Sequence, residues 1–191
     1  MAHVSIIGTG NMGQAISGIV TAGGNTVEVF DTSGPDAPVT GDVVVLAVPY
    51  PALADVVAKR GHELAGKVVV DISNPLDFST FDSLTVPADS SAAAELAAAL
   101  PDSRVLKAFN TNFAATLAAR AVGEQPTTVL VAGDDADAKS LLVGIVSAAG
   151  LRGVDAGSLR RARELEAVAF LQLTLAVGEK ISWTGGFAVV P

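Results

Sequence analysis

Short apolar runs rich in Val, Ile and Leu alternate along the chain with longer, Ala-rich segments. The runs fall at residues 4–7, 27–30, 43–48, 67–72, 104–109, 127–132 and 152–155. Several are apolar at consecutive positions rather than alternating ones, the pattern of strands buried on both faces of a parallel sheet. Between them, the spacing predicts helices near residues 11–22, 51–60, 90–99, 113–120, 135–149 and 158–177. Strand–helix alternation of this kind specifies a doubly wound α/β sheet.

Two connections break the alternation. Residues 31–42 hold two prolines, two glycines and little apolar spacing. The pattern therefore predicts a loop or one short turn where a crossover helix is usual. The second, residues 73–89, follows a strand directly through Asn74-Pro75-Leu76-Asp77-Phe78. In open α/β sheets ligands sit outside the carboxyl ends of strands, so such a loop is a candidate site wall. Asp89-Ser90-Ser91 reads as an N-cap cluster for the helix that Pro101 ends. The apolar tail at 181–190, with the only tryptophan, is expected to dock on the body or across a dimer, since a free end would expose an apolar patch.

At 191 residues, half of them hydrophobic, the chain suits one domain with a substantial core. Its net charge of −8 argues against a nucleic-acid partner and against an anionic membrane surface. The absence of cysteine removes disulfides, thiol nucleophiles and cysteine-ligated clusters. With only His3 and His62 as imidazoles, zinc is disfavoured and no metal site is expected. Mean hydropathy is positive, yet no apolar stretch nears the ~20 residues of a spanning helix. With no leader pattern at the N-terminus, the expected location is cytoplasmic.

The first run leads into Gly8-Thr9-Gly10-Asn11-Met12-Gly13, a G-x-G-x-x-G that opens a helix. In a dinucleotide site the first glycine permits the tight turn, the second admits the pyrophosphate and the third allows close helix packing. The helix start adds free N–H groups and partial positive charge. The alternative is a tight strand–helix turn without ligand. Asp31, 18 residues after Gly13, closes the second run, where an acidic residue accepts hydrogen bonds from the adenosine ribose. A 2′-phosphate ~5 Å from this carboxylate would cost about 3 kcal/mol at an effective dielectric near 20. Taken alone, Asp31 argues for NAD over NADP, with Thr32 and Ser33 as donors to a phosphate should Asp31 turn away.

Six motifs in order carry a family resemblance: IIGTGNMGQAI (6–16), VVLAVP (44–49), VVDISNP (69–75), SSAAAEL (90–96), VLKAFNTN (105–112) and DAGSLRRARELE (155–166). Together they resemble the NADP oxidoreductases that depend on the deazaflavin coenzyme factor 420. They also resemble the oxidoreductase domain of the STEAP metalloreductases. The resemblance implies a Rossmann-like, mostly parallel domain over residues 1–191, with a short C-terminal helical portion at 156–191, in a homodimer. It implies NADP as dinucleotide and a deazaflavin or flavin as the small-molecule redox partner, with no catalytic side chain required. Motif by motif, residues Gly8 to Gly13 would hold the pyrophosphate. Ala47, Val48, Pro49 and Tyr50 would flank the dinucleotide. Asn74, Pro75, Ala108, Phe109 and Asn110 would lie near the nicotinamide. Two positions depart from the family pattern. Asp31-Thr32 stands where NADP users carry Ser or Thr followed by Arg or Lys, and Asn110 stands where deazaflavin users often carry His.

The other chemistry-bearing residues are few. His3 reads as a strand-edge residue and His62 as a helix-end one. Lys107 either faces the site or snorkels along the sheet with its charge in water. Arg160 and Glu164 are spaced to pair on a helix face, and an arginine among Arg160, Arg161 and Arg163 is a candidate grip for an anionic cofactor tail. Two rivals stand beside the hydride-transfer reading. One is a reductase of a small imine or carbonyl compound, since GNMGQAI also resembles pyrroline-carboxylate reductases. The other is a dinucleotide-binding sensor without turnover.

Overall fold

Val43, Val44, Val45 and Leu46 are all buried, and so are Val68 to Asp71 beside them. A strand with no exposed face needs a layer of helices on each side, and the structure supplies both. The computed structural model describes residues 1–32 and 37–190. Its strands are β1 (His3–Ile7), β2 (Thr26–Phe30), β3 (Val43–Leu46), β4 (Val68–Asp71), β5 (Arg104–Lys107), β6 (Ala121–Val122), β7 (Gln125–Pro126), β8 (Thr128–Gly133) and β9 (Arg152–Gly157). Its α-helices are α1 (Asn11–Ala22), α2 (Leu53–Leu64), α3 (Ala92–Ala99), α4 (Ala114–Ala119), α5 (Ala136–Ala148) and α6 (Ala162–Val177), with one-turn 3-10 helices at Tyr50–Ala52 and Leu159–Arg161.

The main sheet has seven strands in the order β2-β1-β3-β4-β5-β8-β9; β6 and β7 form a separate ribbon. All neighbours in the main sheet are parallel except β5 and β8. Period-two alternation sorts the strand residues between two cores. Val4, Ile6, Val43, Val45, Val68 and Val70 pack with residues of α1, α4 and α5. Ile7, Val44, Leu46, Val69 and Val105 pack with residues of α2 and α3 on the other face. The sheet is therefore Rossmann-like. Its order reverses between β1 and β3, so their carboxyl ends frame the ligand crevice of such sheets.

Among the described residues no helix joins β2 to β3; residues 33–36 of this connection lie outside them. A polar clasp does the covering instead. Ser5 is fully buried in β1, and its hydroxyl donates to Glu28 Oε1 and accepts from the Gly41 N–H. A Cβ at Gly41 would lie 2.5 Å from the Ser5 nitrogen, so only glycine lets this loop lie on the sheet. Arg60 donates to the Ala37 carbonyl and stands over the Phe30 ring, while Val39 N–H donates to Glu63. His3 takes the bland role read from the sequence, its ring nitrogens 2.8 and 2.9 Å from the Thr26 and Thr40 hydroxyls.

Three strands end short of the sequence pattern, while β8 and β9 run past it to Gly133 and Gly157. Residues 47–48, 72 and 108–109 continue the apolar runs but leave the sheet, because the chain turns there to build the crevice. Ser91 caps α3 by accepting from the Ala94 N–H, as the N-cap cluster foretold.

Candidate dinucleotide and redox site

The glycine loop is built by missing side chains. Gly8 has φ +126°, and a Cβ there would lie 2.1 Å from the Ala47 carbonyl oxygen. A Cβ on Gly13 would lie 2.1 Å from the Gly8 carbonyl oxygen. Both glycines are demanded by the fold itself: one presses β1 against the end of β3, the other seats α1 on the loop. Gly10 is different. Its φ is −70°, open to any residue, and a Cβ there would meet nothing within 4 Å. Nothing internal requires glycine at position 10, so its bareness serves whatever approaches from outside. Gly10 is also the N-cap of α1, and no side chain caps the helix or adds an acidic charge to its first turn. An uncapped, unopposed helix start beside open space leaves its N–H groups free to receive an anion.

A cavity of about 450 Å³ adjoins this helix start. Asn11 and Met12 line it from α1, Ile72 and Asn74 from the end of β4, and Asn110, Asn112 and Phe113 from the end of β5. Ala169, Gln172 and Leu173 of α6 and Trp183 of the tail complete it. Two tight turns shape the wall. Asn110 N–H donates to the Ala108 carbonyl around Phe109, which is buried with φ +61°. Leu76 N–H donates to the Asn74 carbonyl around Pro75. A left-handed phenylalanine costs on the order of 1–3 kcal/mol and persists only where its surroundings enforce it. Here a reciprocal clasp enforces it: Asn74 Nδ2 donates to the Asn110 carbonyl, and Asn110 Nδ2 donates to Asn74 Oδ1, both at 3.0 Å. The Oδ1 atoms of Asn110 and Asn112 are buried acceptors without a hydrogen-bond partner among the described residues.

Beneath this wall lies a buried charge cluster. Lys107 is fully buried, its ammonium 2.8 Å from Asp71 Oδ2, 2.6 Å from the Ser73 carbonyl and 2.8 Å from Glu166 Oε1. The contact to Glu166 is an ion pair outside hydrogen-bonding angle. Asp71 also accepts from the Ser73 N–H, and Glu166 Oε2 from the Ala92 N–H at the start of α3. Burial pushes the Glu166 carboxyl above its ordinary range, against the pull of Lys107. Lys107 therefore neither snorkels to water nor faces the cavity; two strand ends and a helix enclose it.

The chain around residue 31 leaves the sheet at the end of β2, and Asp31 and Thr32 are exposed there. Ser33 lies outside the described residues. Ala47 meets the glycine loop, with Val48 buried behind it and Pro49 exposed. Tyr50 leads into a second groove between α2 and α3, where its hydroxyl donates to Glu95 at 2.6 Å. That bond raises the Tyr50 pKa to about 12. Among the arginines, the pairing differs from the helical spacing: Arg161, not Arg160, meets Glu164, at 3.6 Å. The 3-10 turn at Leu159–Arg161 precedes α6, so Arg160 is off the α-helical register. The tail docks on the same chain. Trp183 packs on Phe113 with ring centroids 5.0 Å apart, Phe187 N–H donates to Gln172 Oε1, and Arg152 donates to the Val189 carbonyl.

The family model described as NADP oxidoreductase, coenzyme F420-dependent, matches residues 25–75. The F420-dependent NADP reductase of Methanocaldococcus jannaschii is 30% identical over 166 residues, covering 85% of this chain and 74% of that protein. The chain belongs to this family. As a member it is an oxidoreductase, and its sheet agrees with that of other members. A chain from Arthrobacter sp. FB24, assigned as an F420-dependent NADP reductase, superposes with a TM-score of 0.85 over 100% of both chains at 24% identity, which shows the shared fold. The rat metalloreductase STEAP3 is 36% identical over 106 residues, 56% of this chain but 20% of that longer protein. Within the family frame, Asn112, Phe113, Gln172 and Trp183 are cavity residues that sequence reasoning missed. Gln172 had a signal: it is a lone amide in a run without charge, and it donates to the Thr111 carbonyl at 3.0 Å.

Proposed function

We propose that this protein transfers hydride between a nicotinamide dinucleotide and a deazaflavin or flavin. The observation that carries it is the cavity lining: amides, apolar groups and aromatics, with no ionisable side chain among the described residues. Reduction of a carbonyl or oxidation of a hydroxy acid wants a positioned acid or base, whereas transfer between two stacked rings wants orientation above all. The nearby Lys107 is committed to two carboxylates and a carbonyl. When bound, the paired cofactors supply the redox chemistry. The chain positions them. The Gly8–Gly13 loop and the start of α1 would hold the pyrophosphate, and Asn110 Oδ1 and Asn112 Oδ1 are acceptors suited to the nicotinamide carboxamide. Phe109, strained and clasped, fixes Asn110 for that task.

Family membership points to NADP. Asp31 adds that NAD is accepted, so NADH is expected to bind at least as well as NADPH in a fluorescence titration. A tenfold preference for NADPH would overturn that point. The same reading includes a homodimer acting in the cytoplasm. The dimer is supported by α6, where residues 167–178 carry no charge and Val168, Leu171 and Val177 are exposed next to Trp183 and Phe187. Light scattering on the purified protein tests it; a monomer at micromolar concentration would refute it.

A further inference from the structure

The three buried charges stand in one relation to the cavity. Asp71 is three residues before Asn74, Lys107 three before Asn110 and Glu166 three before Ala169, and all three later residues line the cavity wall. Three residues span at most ~10 Å of extended chain and ~4.5 Å of helix, so the backbone of each cluster member lies within about 10 Å of a residue of the cavity wall. Two carboxylates share one ammonium there, and all three side chains have zero exposure. Fully ionised, the cluster carries one net negative charge that water does not screen. An oxidised nicotinamide ring is a cation and a reduced one is neutral. The field of the cluster therefore discriminates between them.

We propose that the Asp71–Lys107–Glu166 cluster sets which redox form of the nicotinamide the cavity favours, its net negative charge strengthening binding of the oxidised form relative to the reduced. This rests on the dinucleotide reading above. Glu166 is the adjustable member. It faces Lys107 from β5 and Asp71 from β4, with Tyr50 and Glu95 beyond at α2 and α3. Asp89 stands in the loop before α3, the turn before α6 brings Arg160 and Arg161 at the surface, and Arg163 and Glu164 lie on α6 itself. β8 contributes no ionisable side chain. Protonation of Glu166 leaves the cluster neutral and removes the discrimination, and burial raises the pKa of this carboxyl.

Glu166→Gln keeps an oxygen for the Ala92 N–H and leaves a neutral Lys107–Asp71 pair. The test is the ratio of dissociation constants of NADPH to NADP+, by calorimetry from pH 5 to 9, for the native protein and Glu166→Gln, with NADH and NAD+ as the second pair. Phosphate groups titrate alike in both redox forms and cancel from the ratio. At pH 9 the native ratio should exceed that of Glu166→Gln by about tenfold, and the gap should narrow, if it changes at all, toward pH 5. Equal ratios at pH 9 overturn the proposal, as does a higher ratio for Glu166→Gln. Asp71→Asn, which leaves a neutral Lys107–Glu166 pair, makes the same comparison if the first variant does not fold. Failure of the native protein to bind either form would overturn the dinucleotide reading itself.

Discussion

The two halves of the crevice are made by opposite means. The half around β1, β3 and α1 is defined by missing atoms: bare backbone at Gly8, Gly10 and Gly13 and an uncapped helix start. The half around β4, β5 and α6 is defined by polar groups committed to one another: the Asn74–Asn110 clasp, the strained Phe109 and the buried charge cluster. The first tolerates no added carbon at Gly8 or Gly13. The second tolerates no removed charge, because a buried ion without its partner is costly. Binding a constant pyrophosphate needs only space and N–H groups. Discriminating a ring that changes charge needs fixed polarity.

That contrast predicts opposite responses to substitution. Gly8→Ala adds a Cβ 2.1 Å from a carbonyl at φ +126°, so unfolding free energy should fall by about 4 kcal/mol or more in a urea titration. Gly10→Ala meets nothing within 4 Å and should stay within about 0.5 kcal/mol of the native stability, yet bind dinucleotide at least tenfold more weakly. Equal affinity would mean the open space at Gly10 has no occupant. In the other half, Lys107→Met leaves Asp71 and Glu166 buried together and should cost about 3–5 kcal/mol by the same titration. A variant as stable as the native protein would show that the cluster is not a structural charge.

Asp31→Ser with Thr32→Arg would, on the proposed dinucleotide reading, replace a carboxylate at the ribose end by a cation. It should move the NADPH-to-NADH affinity ratio toward NADPH by at least tenfold. A smaller effect is expected from Glu166 alone. Its folded pKa is raised above the ordinary 4.5, so the folded state holds a proton that the unfolded chain releases. That contribution is fully present below the unfolded pKa and is lost as pH rises through the folded one. The native urea midpoint should therefore decline relative to that of Glu166→Gln as pH climbs from about 4.5. Parallel midpoints would deny the raised pKa.

What could be read from the sequence follows the same division. The glycine loop, the lack of a crossover helix among the described residues between β2 and β3, and the cap at Ser91 are local, each settled within a few residues by backbone geometry. The charge cluster joins residues 34 to 74 positions apart. No local pattern reveals that Lys107 turns inward, since Arg-Val-Leu-Lys reads equally well as a strand with a solvated end. Trp183 was expected to dock but not as a wall of the cavity, because the partner that decides it, Phe113, lies 70 residues away. Glu166 stood inside a motif with a family resemblance, yet only its contact with Ala92 and Lys107 gives it a task.

Hydride transfer between two rings, in a cavity with no ionisable side chain among its described lining residues, is tested most directly by anaerobic mixing of the protein with NADPH or NADH and the deazaflavin, FMN or FAD in turn, following the nicotinamide absorbance band. Nicotinamide oxidation should be matched one for one by loss of the acceptor's own absorbance, and should be slower with Gly10→Ala at the same subsaturating nucleotide concentration. Tight nucleotide binding with no oxidation by any acceptor would contradict it and leave the chain a binder of dinucleotides.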